Sequence, residues 1–255
     1  MANPPVKITL EYDGSAYHGW QRQPNRRTVQ GELEEALFLI CREPISVVGQ
    51  GRTDRGVHAE GQVAHAFIAA EDVDLPDLMK RLNGLLGSTC QVRELVLEEE
   101  GFHARYSAIS RHYRYQITRE SSPLRRRTHW YVKDRLDIEK IGEACTLCYG
   151  EHDFGVFCSH SKDQPHTRCT VTAFTLDEKG AIVTFRIAAN RFLHNMVRRL
   201  IGEMVLIGRG RHSVELFRSR LDSPGPAEAG LTAPPHGLFL ERVVYPMANT
   251  ASENS

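Results

Sequence analysis

The stretch from Gly49 to Phe67 constrains the fold more than any other part of the chain. A β-branched run, Ile45-Ser46-Val47-Val48, lies before it between Pro44 and Gly49. At its end, Gln62 to Ile68 alternates apolar and polar residues. Both runs predict short strands, so the residues between them form a strand-connecting loop. Gly49, Gly51, Gly56 and Gly61 let that backbone turn sharply or approach a ligand closely. Asp54 stands between Arg52 and Arg55, next to the hydroxyl of Thr53. A carboxylate flanked by cations suits chemistry on an anionic ligand, although the same composition also makes an ordinary surface turn with a weak ion pair. Dinucleotide binding is excluded, because Asp54 occupies the place where that fingerprint needs its third glycine. A phosphate-gripping loop would lead into a lysine and a helix start, and strand-like Val63-Ala64-His65 follows instead.

The flanking sequence builds outward from this loop. Val6 to Asp13 alternates and predicts a strand, followed by an aromatic, amide-rich loop from Tyr12 to Gln23 that contains Trp20. Thr28 caps a helix whose stripe is Val29, Leu33, Leu37 and Ile40. Asp74-Leu75-Pro76-Asp77 opens a second helix, and Gln91 to Leu97 is a strand. Together these form a compact α+β unit. In the strand Arg111 to Ile117, Arg111, Tyr113 and Tyr115 share one face, with His112 and Arg114 on the other. Alternating aromatics and arginines suit base stacking and phosphate pairing, and equally an amphipathic edge strand. A helix over Asp137 to Tyr149 and a hairpin of 167–176 with 181–188 come next. A long helix is expected from Asn190, with Phe192, Met196, Leu200 and Met204 on one side and Arg198 on another. A short helix, Ser213 to Leu221, and a final strand, Gly237 to Tyr245, complete the chain before a disordered tail.

No apolar run in the 255 residues approaches a membrane span, and Met1-Ala2-Asn3-Pro4-Pro5 carries no signal-peptide core, so a cytoplasmic, membrane-free protein is expected. The six cysteines form no framework and are expected to be reduced. Cys145 and Cys148 lie on a helical apolar stripe with no second close pair, which favours core packing over a metal. Thirty-two basic and thirty-two acidic residues cancel. An RNA-binding surface therefore requires segregated charge. Arginines do cluster, at Arg22/Arg26/Arg27, Arg105/Arg111/Arg114, Arg125 to Arg127 and Arg191/Arg198/Arg199.

Gly51-Arg52-Thr53-Asp54-x-Gly56-Val57-His58-Ala59 followed by Gly61-Gln62-Val63 resembles the signature of the tRNA pseudouridine synthase A family. The resemblance extends in order through the Tyr12 to Gln23 loop, the segments Phe102-His103-Ala104-Arg105-Tyr106 and Arg111 to Ile117, Phe192-Leu193-x-x-Met196-Val197-Arg198, and the terminal Gly237-Leu238-Phe239-Leu240. It implies an α+β fold of two similar halves, 1–105 and 106–248, with a tail at 249–255. Antiparallel or mixed sheets would lie side by side under packed helices, with a central RNA-binding cleft. The implied activity is isomerisation of uridine to pseudouridine at positions 38, 39 and 40 of the tRNA anticodon stem-loop, with no cofactor and no metal. By the same resemblance Asp54 is the nucleophile toward C1′ or the base toward C2′, and Arg198 pairs with it. Tyr113 stacks on the uracil and assists proton transfer. Arg52 fills the space of the flipped nucleotide, Leu238 lies under the base, and Phe102, His103, Ala104, Arg105 and Tyr106 contact RNA. His58 shapes the loop. A homodimer crossed by one tRNA is also implied. Ser159 to His166 departs from the family pattern. A catalytically silent RNA-binding module is the alternative; it would show a broken aspartate or arginine motif, and both are intact.

Overall fold

The computed structural model describes residues 4–68, 74–159, 166–223 and 230–246. The elements in chain order are β1 (Pro5–Tyr12), α1 (Val29–Cys41), β2 (Val48–Gly49), β3 (His58–Phe67), α2 (Leu75–Leu86), β4 (Cys90–Leu97), β5 (Ser110–Thr118), β6 (Trp130–Tyr131), α3 (Ile138–Leu147), β7 (Gly150–Asp153), β8 (Arg168–Lys179), β9 (Ile182–Ala189), α4 (Met196–Gly208), α5 (Val214–Asp222) and β10 (Leu238–Val244). The chain is α+β, and among the described residues its strands form one mixed sheet in the order β4-β1-β3-β10-β5-β9-β8-β7. Short β2 pairs with β3 and short β6 with β5. The expected tail at 249–255 and most of the 159–166 segment lie outside the described residues.

Local chemistry explains most of the boundaries. Thr28 accepts a hydrogen bond from Gly31 N and starts α1; Asp74, Asp137 and Ser213 do the same for α2, α3 and α5. Two apolar clusters fill the halves. One joins β1, α1 and α2 through Ile8, Leu10, Leu33, Leu37 and Leu82. The other joins β5, β9, α3 and α4 through Ile117, Phe185, Ile141, Leu200 and Met204. Cys145 and Cys148 are buried in this second cluster, as packing residues. All six cysteines are free thiols.

β10 joins the halves. Its Phe239 and Leu240 run parallel to His58 and Ala59 of β3, and its other side pairs antiparallel with β5. A Cβ at Gly61 would stand 2.5 Å from the carbonyl oxygen of Glu241, so this signature glycine admits the backbone of β10. The final strand therefore belongs to the seam between the halves, and Leu238 and Leu240 enter different clusters.

Three elements differ from expectation. β2 is reduced to Val48–Gly49, while β3 starts at His58, ahead of the alternation at Gln62. Most of β3 is buried, so the alternating pattern understates its length. The helix expected from Asn190 starts at Met196. Asn195 takes φ +63°, a left-handed conformation that asparagine tolerates and a helix does not. Phe192 consequently lies outside the helix, where it meets Tyr113 edge-on with ring centroids 5.1 Å apart.

Candidate active site

The loop before β3 is fixed from below by buried polar side chains. Thr53 Oγ1 and the Tyr12 hydroxyl lie 2.8 Å apart, and Gln62 Nε2 donates to that hydroxyl at 3.3 Å. Burial pushes the Tyr12 phenol well above its ordinary pKa, so it stays neutral. The Thr53 carbonyl accepts from Trp20 N at 3.1 Å, tying the aromatic loop to the signature loop. Val57 N donates to Asp54 O at 3.1 Å, closing a turn around Gly56, whose φ is +83°. With Thr53 buried and the 54–57 turn closed, the Asp54 side chain projects from a rigid base and is 28% exposed.

Arg198 reaches it from the first turn of α4. Its Nη1 donates to Asp54 Oδ2 at 3.1 Å and to Asn195 Oδ1 at 2.9 Å, while Nε donates to the Ala233 carbonyl at 2.8 Å. Pairing with Asp54 therefore runs through one nitrogen, and Nε is held separately by the Ala233 carbonyl. On the other carboxylate oxygen, His194 Nε2 lies 3.4 Å from Asp54 Oδ1. The Tyr113 phenol is raised in pKa by burial and then by the charge of Asp54, which keeps it protonated. The site thus combines an accessible carboxylate, a fixed cation and a neutral phenol.

The other expected residues are distributed unevenly. Arg52 is exposed and donates from Nε to Gln21 Oε1 at 3.1 Å. Leu238 is buried in the cluster that includes Val57 and Val197, beneath the loop and α4. Ala104 is buried: its N–H donates to His65 Nδ1 at 3.1 Å and its carbonyl accepts from the Tyr245 hydroxyl at 2.7 Å. Phe102 is half-buried against Tyr245, with centroids 5.2 Å apart. His103 Nδ1 accepts from the backbone N–H of Arg105 and Tyr106, which leaves the Arg105 and Tyr106 side chains exposed. His58 is buried and stacks on Phe239 at 4.6 Å. Its Nδ1 accepts from Gly14 N at 3.2 Å and its Nε2 faces Arg127 O at 2.8 Å, where a proton on Nε2 satisfies both contacts. His58 therefore acts structurally at the base of the loop.

The arginine clusters divide in two. Arg22, Arg27 and Arg114 pair with carboxylates, and Arg114 also lies over the Phe239 ring. Arg111 is buried, donating to Gln50 Oε1 and to the carbonyls of Ala108, Asn190 and Arg105. These contacts hold β5 to the signature loop, so the arginines of that strand serve the fold. Arg52, Arg55, Arg105 and Arg125 to Arg127 have no carboxylate within 4 Å among the described residues. Arg52 and Arg55 are exposed on either side of Asp54 in the chain, and the Arg127 carbonyl contacts His58 at the base of the loop.

Reading by residue type did not single out His194, Asn195 or Ala233. Asn195 carries a signal, because it precedes Arg198 by one helical turn. The Ala233 carbonyl carries none.

Burial lowers the pKa of His58, His65, His112 and His129 below 6.5. The unfolded chain takes up protons near pH 6.5 and the folded chain at lower pH, so stability rises with pH across that window. The urea midpoint is expected to be higher at pH 7.5 than at pH 5.5. A flat or inverted dependence would contradict the lowered pKa of these rings.

A family model described as tRNA pseudouridine synthase matches residues 8–107 and 144–246. The tRNA pseudouridine synthase A of Parabacteroides distasonis is 38% identical, covering 94% of this chain and 95% of its own. That of Chlorobaculum tepidum is 41% identical over 94% and 97% of the two chains. That of Porphyromonas gingivalis is 40% identical over 94% and 96%. The match spans both the Asp54 loop and the Arg198 helix, and the chain belongs to the tRNA pseudouridine synthase family.

Proposed function

We propose that the protein converts uridine to pseudouridine at positions 38, 39 and 40 of the tRNA anticodon stem-loop. The observation that carries this reading is the Asp54–Arg198 contact of 3.1 Å, which sets a partly exposed carboxylate beside a fixed cation. The reaction breaks the N1–C1′ bond, turns the uracil and forms C5–C1′; the proton lost from C5 is balanced by one taken up at N1. It requires no redox change and no added group. Asp54 supplies a carboxylate that attacks C1′ or removes the C2′ proton. Arg198 orients it. Tyr113, neutral beside Asp54, stacks on the base and can relay a proton at C5. Arg52 enters the space left by the flipped nucleotide, and the exposed Arg105 and Tyr106 contact RNA. Leu238, together with Phe102, His103 and Ala104, supports these contacts from below.

The reading includes the division at 105/106, a cytoplasmic homodimer and activity without metal. No helix among the described residues is long and apolar enough to cross a membrane. The test is incubation with unmodified tRNA in excess EDTA, followed by mapping of carbodiimide-blocked positions through reverse transcription. Stops at positions 38 to 40 are expected. Stops elsewhere would replace the proposed target, and activity restored by zinc after EDTA would overturn the metal-free mechanism.

A further inference from the structure

Residues 231–237 run between α4 and the Asp54 loop and form no strand; a single 3-10 turn covers Pro235–Gly237. Ala233 N donates to Arg198 O at 3.0 Å, and Ala233 O accepts from Arg198 Nε at 2.8 Å. The Leu231 carbonyl presses so closely on α4 that a Cβ at Gly202 would stand 1.7 Å from it. On the opposite side, Pro235 rests on Gly56, two residues from Asp54, where an added Cβ would lie 3.1 Å from the proline ring. The segment is a strap that bonds to Arg198 on one side and rests on the turn carrying Asp54 on the other.

The strap has an unusual hydrogen-bond problem. Pro234 and Pro235 carry no N–H, so this backbone cannot join a sheet, and its buried carbonyls need side-chain donors. Two consecutive carbonyls find them. Arg198 donates to Ala233, and the Tyr115 hydroxyl donates to Pro234 at 2.8 Å. Tyr115 is 1% exposed, and its ring lies 2.7 Å from where a Cβ of Gly237 would be. Burial keeps its phenol protonated as a donor. The prolines fix φ, so a shift at Pro234 passes along the strap with little local rotation to absorb it.

We propose that Tyr115 is a positioning residue for isomerisation: its buried hydroxyl fastens the Pro234 carbonyl, and the strap so fixed holds Arg198 against Asp54. The proposal rests on the reading of Asp54 and Arg198 as the catalytic pair.

Tyr115→Phe keeps the ring and removes one oxygen. Single-turnover rates with saturating enzyme are expected to fall about tenfold or more, because small misplacements of a catalytic group are costly. The Kd for tRNA should stay within about twofold, since no phosphate contact is lost. Arg198→Lys removes the Nε donor and so uncouples the side chain of residue 198 from the strap, while the backbone bond from Ala233 N stays. In that background Tyr115→Phe should lower the rate by less than about twofold. A parent-like rate in Tyr115→Phe, or the same fold loss in both backgrounds, would overturn the proposal. Failure of the underlying reading has a different signature: Arg198→Met alone would react at the parent rate.

Discussion

Asp54→Asn is expected to abolish isomerisation while tRNA binding stays within a few-fold of the parent. The amide is nearly the shape of the carboxylate and keeps an oxygen that accepts from Arg198 Nη1, now 3.1 Å from Oδ2. The Thr53–Tyr12–Gln62 contacts and the 54–57 turn do not use the Asp54 side chain, so the loop retains its conformation. What disappears is the nucleophile or base, because an amide neither attacks C1′ nor takes a proton from C2′. Loss of the group that performs the chemistry costs on the order of 10⁴-fold or more in other enzymes. Affinity for tRNA depends on many phosphate contacts and gains slightly from removing one negative charge near the backbone. Single-turnover pseudouridine formation with filter binding at fixed salt measures both quantities. A parent-like rate for Asp54→Asn would remove Asp54 from the mechanism.

Arg198→Met is expected to lose about 10²- to 10³-fold in rate, the scale seen when one preorganised donor is removed from a reaction centre. Arg198→Lys should lose less. The structure sets the terms of this comparison differently from a two-point arginine–carboxylate fork. One nitrogen serves Asp54 and Asn195, and Nε serves Ala233. Lysine carries the charge and can approach Asp54, yet a single ammonium on a flexible stem cannot also keep the Nε bond to the strap. Its carboxylate partner is then attracted but poorly oriented. Arg198 is mostly buried, at 17% side-chain exposure, so methionine fits the volume and leaves Asp54 without its cation. Binding of tRNA by both variants should change within a few-fold. If Arg198→Met instead bound tRNA very weakly and reacted at the parent rate once saturated, the residue would be a phosphate clamp.

Much of the fold was legible from local pattern. Caps at Thr28, Asp74, Asp137 and Ser213 lie where side-chain chemistry places them, because each accepts a bond from a backbone N–H three residues on. The start of α4 was not legible. Apolar spacing continues upstream through Phe192, and what stops the helix is the left-handed φ of Asn195. The role of the β5 arginines stayed open in the sequence for a related reason. Their alternation with tyrosines is compatible with an RNA face, whereas Glu60 and Glu241 occupy Arg114 and four neighbours occupy Arg111. Gln50, Glu60, Asn190 and Glu241 come from distant parts of the chain, and no local period encodes them.

By itself the sequence determined the family, the α+β class and the identity of the Asp54 and Arg198 motifs, because these reside in contiguous strings of residue types. Tertiary structure alone decided how they meet. Asp54 and Arg198 are 144 residues apart and come within 3.1 Å because β10 inserts between β3 and β5 and draws the halves together. It also decided that the Ala233–Pro235 strap and the Tyr115 hydroxyl stand behind that contact. Backbone carbonyls carry no residue type to read, and their partners are fixed when long-range packing closes around them.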